Sequence, residues 1–151
     1  MLSLADMRRL LRFGEHRQSQ CEREIESARR AMAPLRAELR DLDGQEYYLR
    51  ELLLAHQVNE QTFDHGQLLA FLRQQAVMRR QLGTIAIDRT RVEEQCDHYV
   101  QQIQHATTRR QVLERKQMMY LKLQQRLLRE RNAMRSRLEE HEIEELLASH
   151  T

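Results

Sequence analysis

The stretch His56-Gln57-Val58-Asn59-Glu60-Gln61-Thr62-Phe63-Asp64-His65-Gly66 decides the fold. Long runs on either side of it carry the seven-residue apolar repeat of a coiled coil. It therefore reads as the single turn of a helical hairpin. Asp64 has the chemistry of a helix N-cap, and Gln67 completes a capping box three residues later. Phe63 is placed to staple onto Leu68, and Thr62 competes as N-cap two residues earlier.

Upstream of the turn, apolar residues recur at alternating steps of three and four. The seam is Leu4, Met7, Leu11, Cys21, Ile25, Ala28, Met32, Leu35, Leu39, Leu42, Leu49 and Leu53. Only Gly14, Gln18, Glu46 and His56 interrupt it, and the phase never slips. Pro34 should kink a helix, and Asp43-Gly44 could turn one. Because the repeat runs through both, the expectation is one helix, bent near Pro34 and weak at Gly44.

Downstream, the repeat resumes at Leu68, Phe71, Met78, Leu82, Ile85, Val92, Cys96, Tyr99, Ile103 and Ala106. Beyond Ala106 one line stays apolar, through Leu113, Tyr120, Leu127 and Met134. The other becomes Arg110, Gln117, Gln124 and Arg131. Folding about residue 60 sets residue i opposite roughly residue 120 − i, so the seam should run out near residue 116. The last 30 or so residues should then overhang, over roughly 50 Å at 1.5 Å per residue. The same arithmetic brings Cys21 within a turn of Cys96. The fold expected is all-α: an antiparallel two-helix coiled-coil hairpin with a longer, overhanging C-terminal helix. It forms a single domain over 1–151, with helix 1 at about 3–57, the turn at about 58–63 and helix 2 at about 64–148.

The composition suits long helices, with 32% charged residues, no Trp and one Pro. No signal peptide and no run of eighteen apolar residues is visible, so membrane insertion is not expected. Two cysteines on the seam read as buried free thiols. No phosphate-binding glycine loop, Cys-x-x-Cys or His-Glu-x-x-His motif is present, and the histidines are scattered. The expectation is no enzyme activity, no catalytic residue, no metal and no cofactor.

Charge patterning says more. Basic residues crowd Arg109 to Arg137, where Glu114 and Glu130 are the only acids; Glu139, Glu140, Glu142, Glu144 and Glu145 follow. The overhang is thus a basic helix with an acidic end, beside Met7-Arg8-Arg9-Leu10-Leu11-Arg12. This is either a solvated face or a charged plug for an acidic, grooved or ring-shaped partner; nucleic acid is a further reading, with only Tyr120 interleaved as an aromatic. Near the turn, Tyr47, Tyr48, Leu69, Leu72 and Ala76 lie off the seam. They form a contact patch unless the helices splay and bury them.

The stretch Leu68 to Leu82, LLAFLRQQAVMRRQL, resembles that of the small stalk proteins of type III secretion systems. These are the SctO family, which includes InvI, SpaM and YscO and is related to flagellar FliJ. The run Leu72-Arg73-x-Gln75-x-x-x-Arg79-Arg80-Gln81 is the most specific part. The start Ser3-Leu4-x-x-Met7-Arg8-Arg9, the length and the short-then-long helix pair agree with it. Pro34 and Gly44 are not part of the resemblance. It implies a non-enzymatic stalk that couples a hexameric secretion ATPase to the membrane export gate, with secretion chaperones as further partners. It implies a monomer in the cytoplasm, at the base of the apparatus. Arg8, Arg9, Arg12, Arg126, Arg129, Arg131 and Arg135 would meet the ATPase. Tyr47, Tyr48, Leu72, Ala76 and Arg79 would meet the gate. The residues alone leave two rivals: a coiled-coil tether that dimerises through its seam, and a nucleic-acid-binding basic helix.

Overall fold

The computed structural model describes residues 2–58 and 64–150, which form two helices, α1 (Leu4–Val58) and α2 (His65–Ser149). No strand occurs among the described residues. The helices pack against each other as the antiparallel hairpin that the heptads call for. α1 is unbroken through Pro34 and Gly44.

Both helix starts are capped by side chains. At α1, the Ser3 amide donates to Asp6 Oδ2 (3.1 Å) and the Asp6 amide donates to Ser3 Oγ (3.2 Å). The bond from the Ser3 backbone holds the Asp6 carboxyl below its ordinary range. At α2, the Asp64–Gln67 capping box forms: the Gln67 amide donates to Asp64 Oδ1 (2.7 Å), and Gln67 Oε1 accepts from the Asp64 amide (3.2 Å). Thr62 and the Phe63 staple fall outside the described residues.

The contacts divide into two compact units, Met1–Glu24 with His105–Thr151, and Ile25–Gln104. The core of the Ile25–Gln104 unit is Met32, Leu42, Ile85, Val92 and Cys96, with Leu35, Leu39, Leu49, Tyr99 and Ile103 packed on it. Each is a seam position. One seam layer is ionic. Arg89 bonds Glu46 and also Asp43 (2.6 Å), and Arg50 bonds Glu46 (2.8 Å). Arg89 first, then Arg50, depresses the Glu46 carboxyl, and Glu46 raises the guanidinium of Arg89. A charged pair on an apolar seam penalises any register that separates it. Toward the turn, His56 meets Phe71 with ring centroids 5.4 Å apart. Residues 64–70 are exposed, Leu68 at 42%, so the expected seam position at Leu68 is corrected. The physical reason is that the first turn of α2 extends past the end of α1.

In the Met1–Glu24 and His105–Thr151 unit, Met7, Leu11, Cys21 and Ala106 are buried. Gly14 lies against Gln117, whose Nε2 donates to the Leu11 carbonyl (3.4 Å). Residue i of α1 in this unit therefore faces about residue 131 − i of α2. The expected 120 − i register is corrected by about three helical turns' worth of sequence sum. Leu4 then faces about residue 127, and half-buried positions do continue through Gln117, Tyr120, Gln124 and Leu127. Residues 128–150 are all exposed, so the overhang is shorter than expected.

Cys21 and Cys96 are both buried free thiols. Cys21 shares a groove with Thr108, Arg109, Val112 and Leu113, and Cys96 belongs to the core of the Ile25–Gln104 unit.

Two outcomes follow from the packing. Nothing lies within 4 Å of a Cβ built at Gly44 or Gly83, so Gly44→Ala and Gly83→Ala should each raise stability. Denaturant midpoints should report about 1 kcal/mol apiece, the helix cost of glycine. Gly14→Ala should not stabilise in this way, because its Cβ would meet Gln117 Oε1 at 2.5 Å. Second, the folded-state pKa of Glu46 lies below its unfolded value. Its stabilisation is therefore complete above pH about 4.5 and is lost as pH falls through the depressed value. Glu46→Gln should lower the urea midpoint at pH 7, and the gap to wild type should narrow as pH falls below the ordinary carboxylate range.

Candidate partner-binding surfaces

Among the described residues, surfaces at both ends of the hairpin stay uncovered once the seam is packed. The first is in the unit that holds both helix ends. Arg8, Arg9 and Arg12 are exposed on α1. Arg126, Arg129, Arg131 and Arg135 are exposed on α2, Arg126 at the edge of the covered seam and the others beyond it. The ion pairs on this part of α2 are local and solvated: Arg126–Glu130 (3.5 Å) and His141–Glu145 (3.2 Å), each one turn apart. Such pairs contribute about 0.3–0.5 kcal/mol, so they leave the arginines available. The apolar line continues as Leu127, half-buried, then Met134 and Leu138, both exposed. A helix with an apolar stripe and no covering surface is marginal in water.

The second surface is at the turn end of the other unit. Tyr47 and Tyr48 are 68% and 64% exposed, so the helices do not splay to bury them. Leu72, Ala76 and Arg79 are exposed as well. An open apolar groove of about 410 Å³ lies nearby, with Leu52, His56, Val77 and Met78 in its walls. Tyr47 and Tyr48 are on α1, and Leu72, Ala76 and Arg79 are on α2.

The sequence reading passed over a third feature. A groove of about 270 Å³ in the unit of the helix ends is lined by Cys21, Val112 and Leu113, with Arg17, Arg109 and Lys116 at its rim. Arg109 bonds Glu24 across the helices (2.5 Å). The Arg17 guanidinium lies 5.5 Å from the ring centre of exposed Phe13. Phe13 and Val112 are off-seam apolar residues, and that signal could have pointed here.

Among the described residues no group of His, Cys, Asp or Glu could hold a metal ion. No described helix is long and apolar enough to cross a membrane.

A hairpin that carries charge and apolar side chains on its outer faces has the form of a protein-binding element. The family model described as Salmonella surface presentation of antigen gene type M protein matches residues 5–147. The chain belongs to this family, the SpaM and InvI family of type III secretion, and is a component of such a secretion system. No curated protein and no solved structure is matched by the chain.

Because these surface residues bury little, changing them should leave the hairpin intact. The Arg126→Glu, Arg129→Glu, Arg135→Glu triple variant should unfold within about 1 kcal/mol of wild type, and so should the Tyr47→Ser, Tyr48→Ser pair, in urea titrations followed by circular dichroism. A larger loss would mean that they serve the fold and not a partner.

Proposed function

We propose that the chain is the non-enzymatic stalk of a type III secretion ATPase complex. Its helix-end unit meets the hexameric ATPase, and its turn end meets the membrane export gate. The chain then works in the cytoplasm, at the base of the apparatus. The observation that carries this reading is the bare arginine-rich helix past Leu127, on a chain of the secretion family. Arginine suits forked pairing with the carboxylates of an acidic pore, where water is scarce and each charge counts for more than in bulk solvent. Arg8, Arg9 and Arg12 on α1 add to that charge, and Arg126, Arg129, Arg131 and Arg135 carry most of it. At the other end, Tyr47, Tyr48, Leu72 and Ala76 offer the aromatic and aliphatic anchors of an interface core, with Arg79 at the rim. Secretion chaperones are additional partners on this reading.

A tether dimerised through its seam is less well supported. Every α1 seam position from Leu4 to His56 is buried or half-buried within a single chain. A stalk needs no enzyme site, because its task is to transmit contacts between two partners.

Truncation after Leu127 should test the assignment. The shortened chain should keep its helical signal per residue and its cooperative unfolding, because α1 covers α2 only to about that point. It should lose capture of the secretion ATPase and any stimulation of hydrolysis. Full-strength binding by the truncated chain would make the exposed helix a solvated tail. Truncation after residue 116 would be uninformative, since it also strips Gln117, Tyr120, Gln124 and Leu127 from the seam.

A further inference from the structure

The two sides of the helix-end unit differ in chemistry. On one side lies the groove of Arg17, Cys21, Val112, Leu113 and Lys116. Its walls continue toward the helix ends. On α1, Leu10, Phe13, Arg17 and Gln20 follow steps of three and four. On α2, Val112, Lys116, Met119 and Leu123 do the same. At about 100° per residue, each set falls within roughly 80° of helix surface, so each is one face. Phe13 and Met119 are more than half exposed, Val112 is 44% exposed, and Leu10 and Leu123 are half-buried. The result is an apolar trough about 16 Å long, or three helical turns.

On this side, along residues 10–20 and 112–123, the free charge is of one sign. Arg109 is neutralised by Glu24 across the helices (2.5 Å). Arg17 and Lys116 have no ion-pair partner among the described residues. Arg115 and Lys122 stand on the outer shoulder of the α2 face, about 60° to 80° from Val112 and away from the seam. The Arg17 guanidinium rests 5.5 Å from the Phe13 ring centre, so one cation is already held beside the apolar floor. The opposite side is mixed: Glu15, Glu22 and Glu114 stand there with Arg8 and Arg12.

We propose that this basic side is a docking groove for an acidic amphipathic helix of a partner protein, laid lengthwise between α1 and α2 as a third helix. A groove between two packed helices has no free backbone edge to pair a β-strand, since helical backbone groups bond within the helix. It does have room for the side chains of another helix. Apolar residues at i, i+3, i+4 and i+7 of the incoming helix interlock with Phe13, Val112 and Met119. Carboxylates flanking that stripe meet Arg17 on one wall and Lys116 on the other. Unpaired cations on both walls select an acidic occupant and repel a basic one. The groove does not involve the arginines beyond Leu127, so it stands apart from the ATPase reading.

A synthetic helical peptide of about 20 residues, with Leu at i, i+3, i+4 and i+7 and Glu on both flanks, tests this on the full chain. Fluorescence anisotropy should give a Kd on the order of 10 μM. Arg17→Glu with Lys116→Glu should weaken binding about tenfold or more, and the same variant should take up a peptide with Lys in place of Glu. Val112→Ser with Met119→Ser should weaken it about fivefold or more, although every charge is kept. Arg36→Glu with Arg40→Glu, outside this unit, should leave the Kd within about twofold. Circular dichroism should show all three variants folded, because the changed side chains are exposed. On the wild-type chain, the peptide should slow amide exchange at residues 10–20 and 112–123. No binding by about 300 μM peptide would overturn the proposal. So would a Kd that both groove variants leave unchanged. Equal binding of unstructured polyglutamate or a single-stranded oligonucleotide would also overturn it, by making the surface a general anion binder. None of these outcomes bears on ATPase capture, so the stalk reading stands or falls separately.

Discussion

A helix can be covered only along the length of its partner, and α1 has 55 residues against 85 in α2. That inequality governs the rest. The seam is satisfied where both helices are present, through apolar layers and the Arg89–Glu46 contact. Where α1 ends, α2 continues with the same spacing but with exposed side chains. The unpaired part is therefore a direct consequence of two helix lengths, and the charge written on it determines which partners it suits.

The register decides where the covered part stops. A uniform row of leucines would tolerate slippage by a heptad, since each shift pairs similar side chains. Two features oppose that here. Gly14 leaves room for Gln117 to reach the backbone of α1, and Glu46 holds Arg89 across the seam. Moving either by seven residues would leave a half-buried polar group without its partner. The polar interruptions of the repeat thus fix the alignment that the apolar residues only permit.

This explains what was legible in the sequence. The period-of-seven pattern identified every α1 seam position, because burial in a two-helix pair follows directly from helical spacing. The Asp64–Gln67 cap was legible because it depends on neighbouring residues alone. The alignment was not, since a fold-back point placed in the middle of the turn assumes that both helices stop at the same height. Instead α2 starts with an uncovered turn, which exposes Leu68. The exposed tyrosines and most of the exposed arginines were legible as off-seam residues, and Arg131 as part of the seam line that turns polar. The groove beside Arg17 and Lys116 was not, because it is formed only when two particular stretches are set side by side.

The central claim is that α2 past Leu127 is kept bare for a protein partner of the secretion machinery. Amide hydrogen exchange on the full chain, alone and with the secretion ATPase, tests it most directly. The account predicts fast exchange over residues 128–150 in the dilute free chain and slow exchange along the covered seam. With the ATPase present, residues 128–150 should become protected while the turn end stays unchanged. Protection confined to other residues, or none at all beside a bound ATPase, would contradict it.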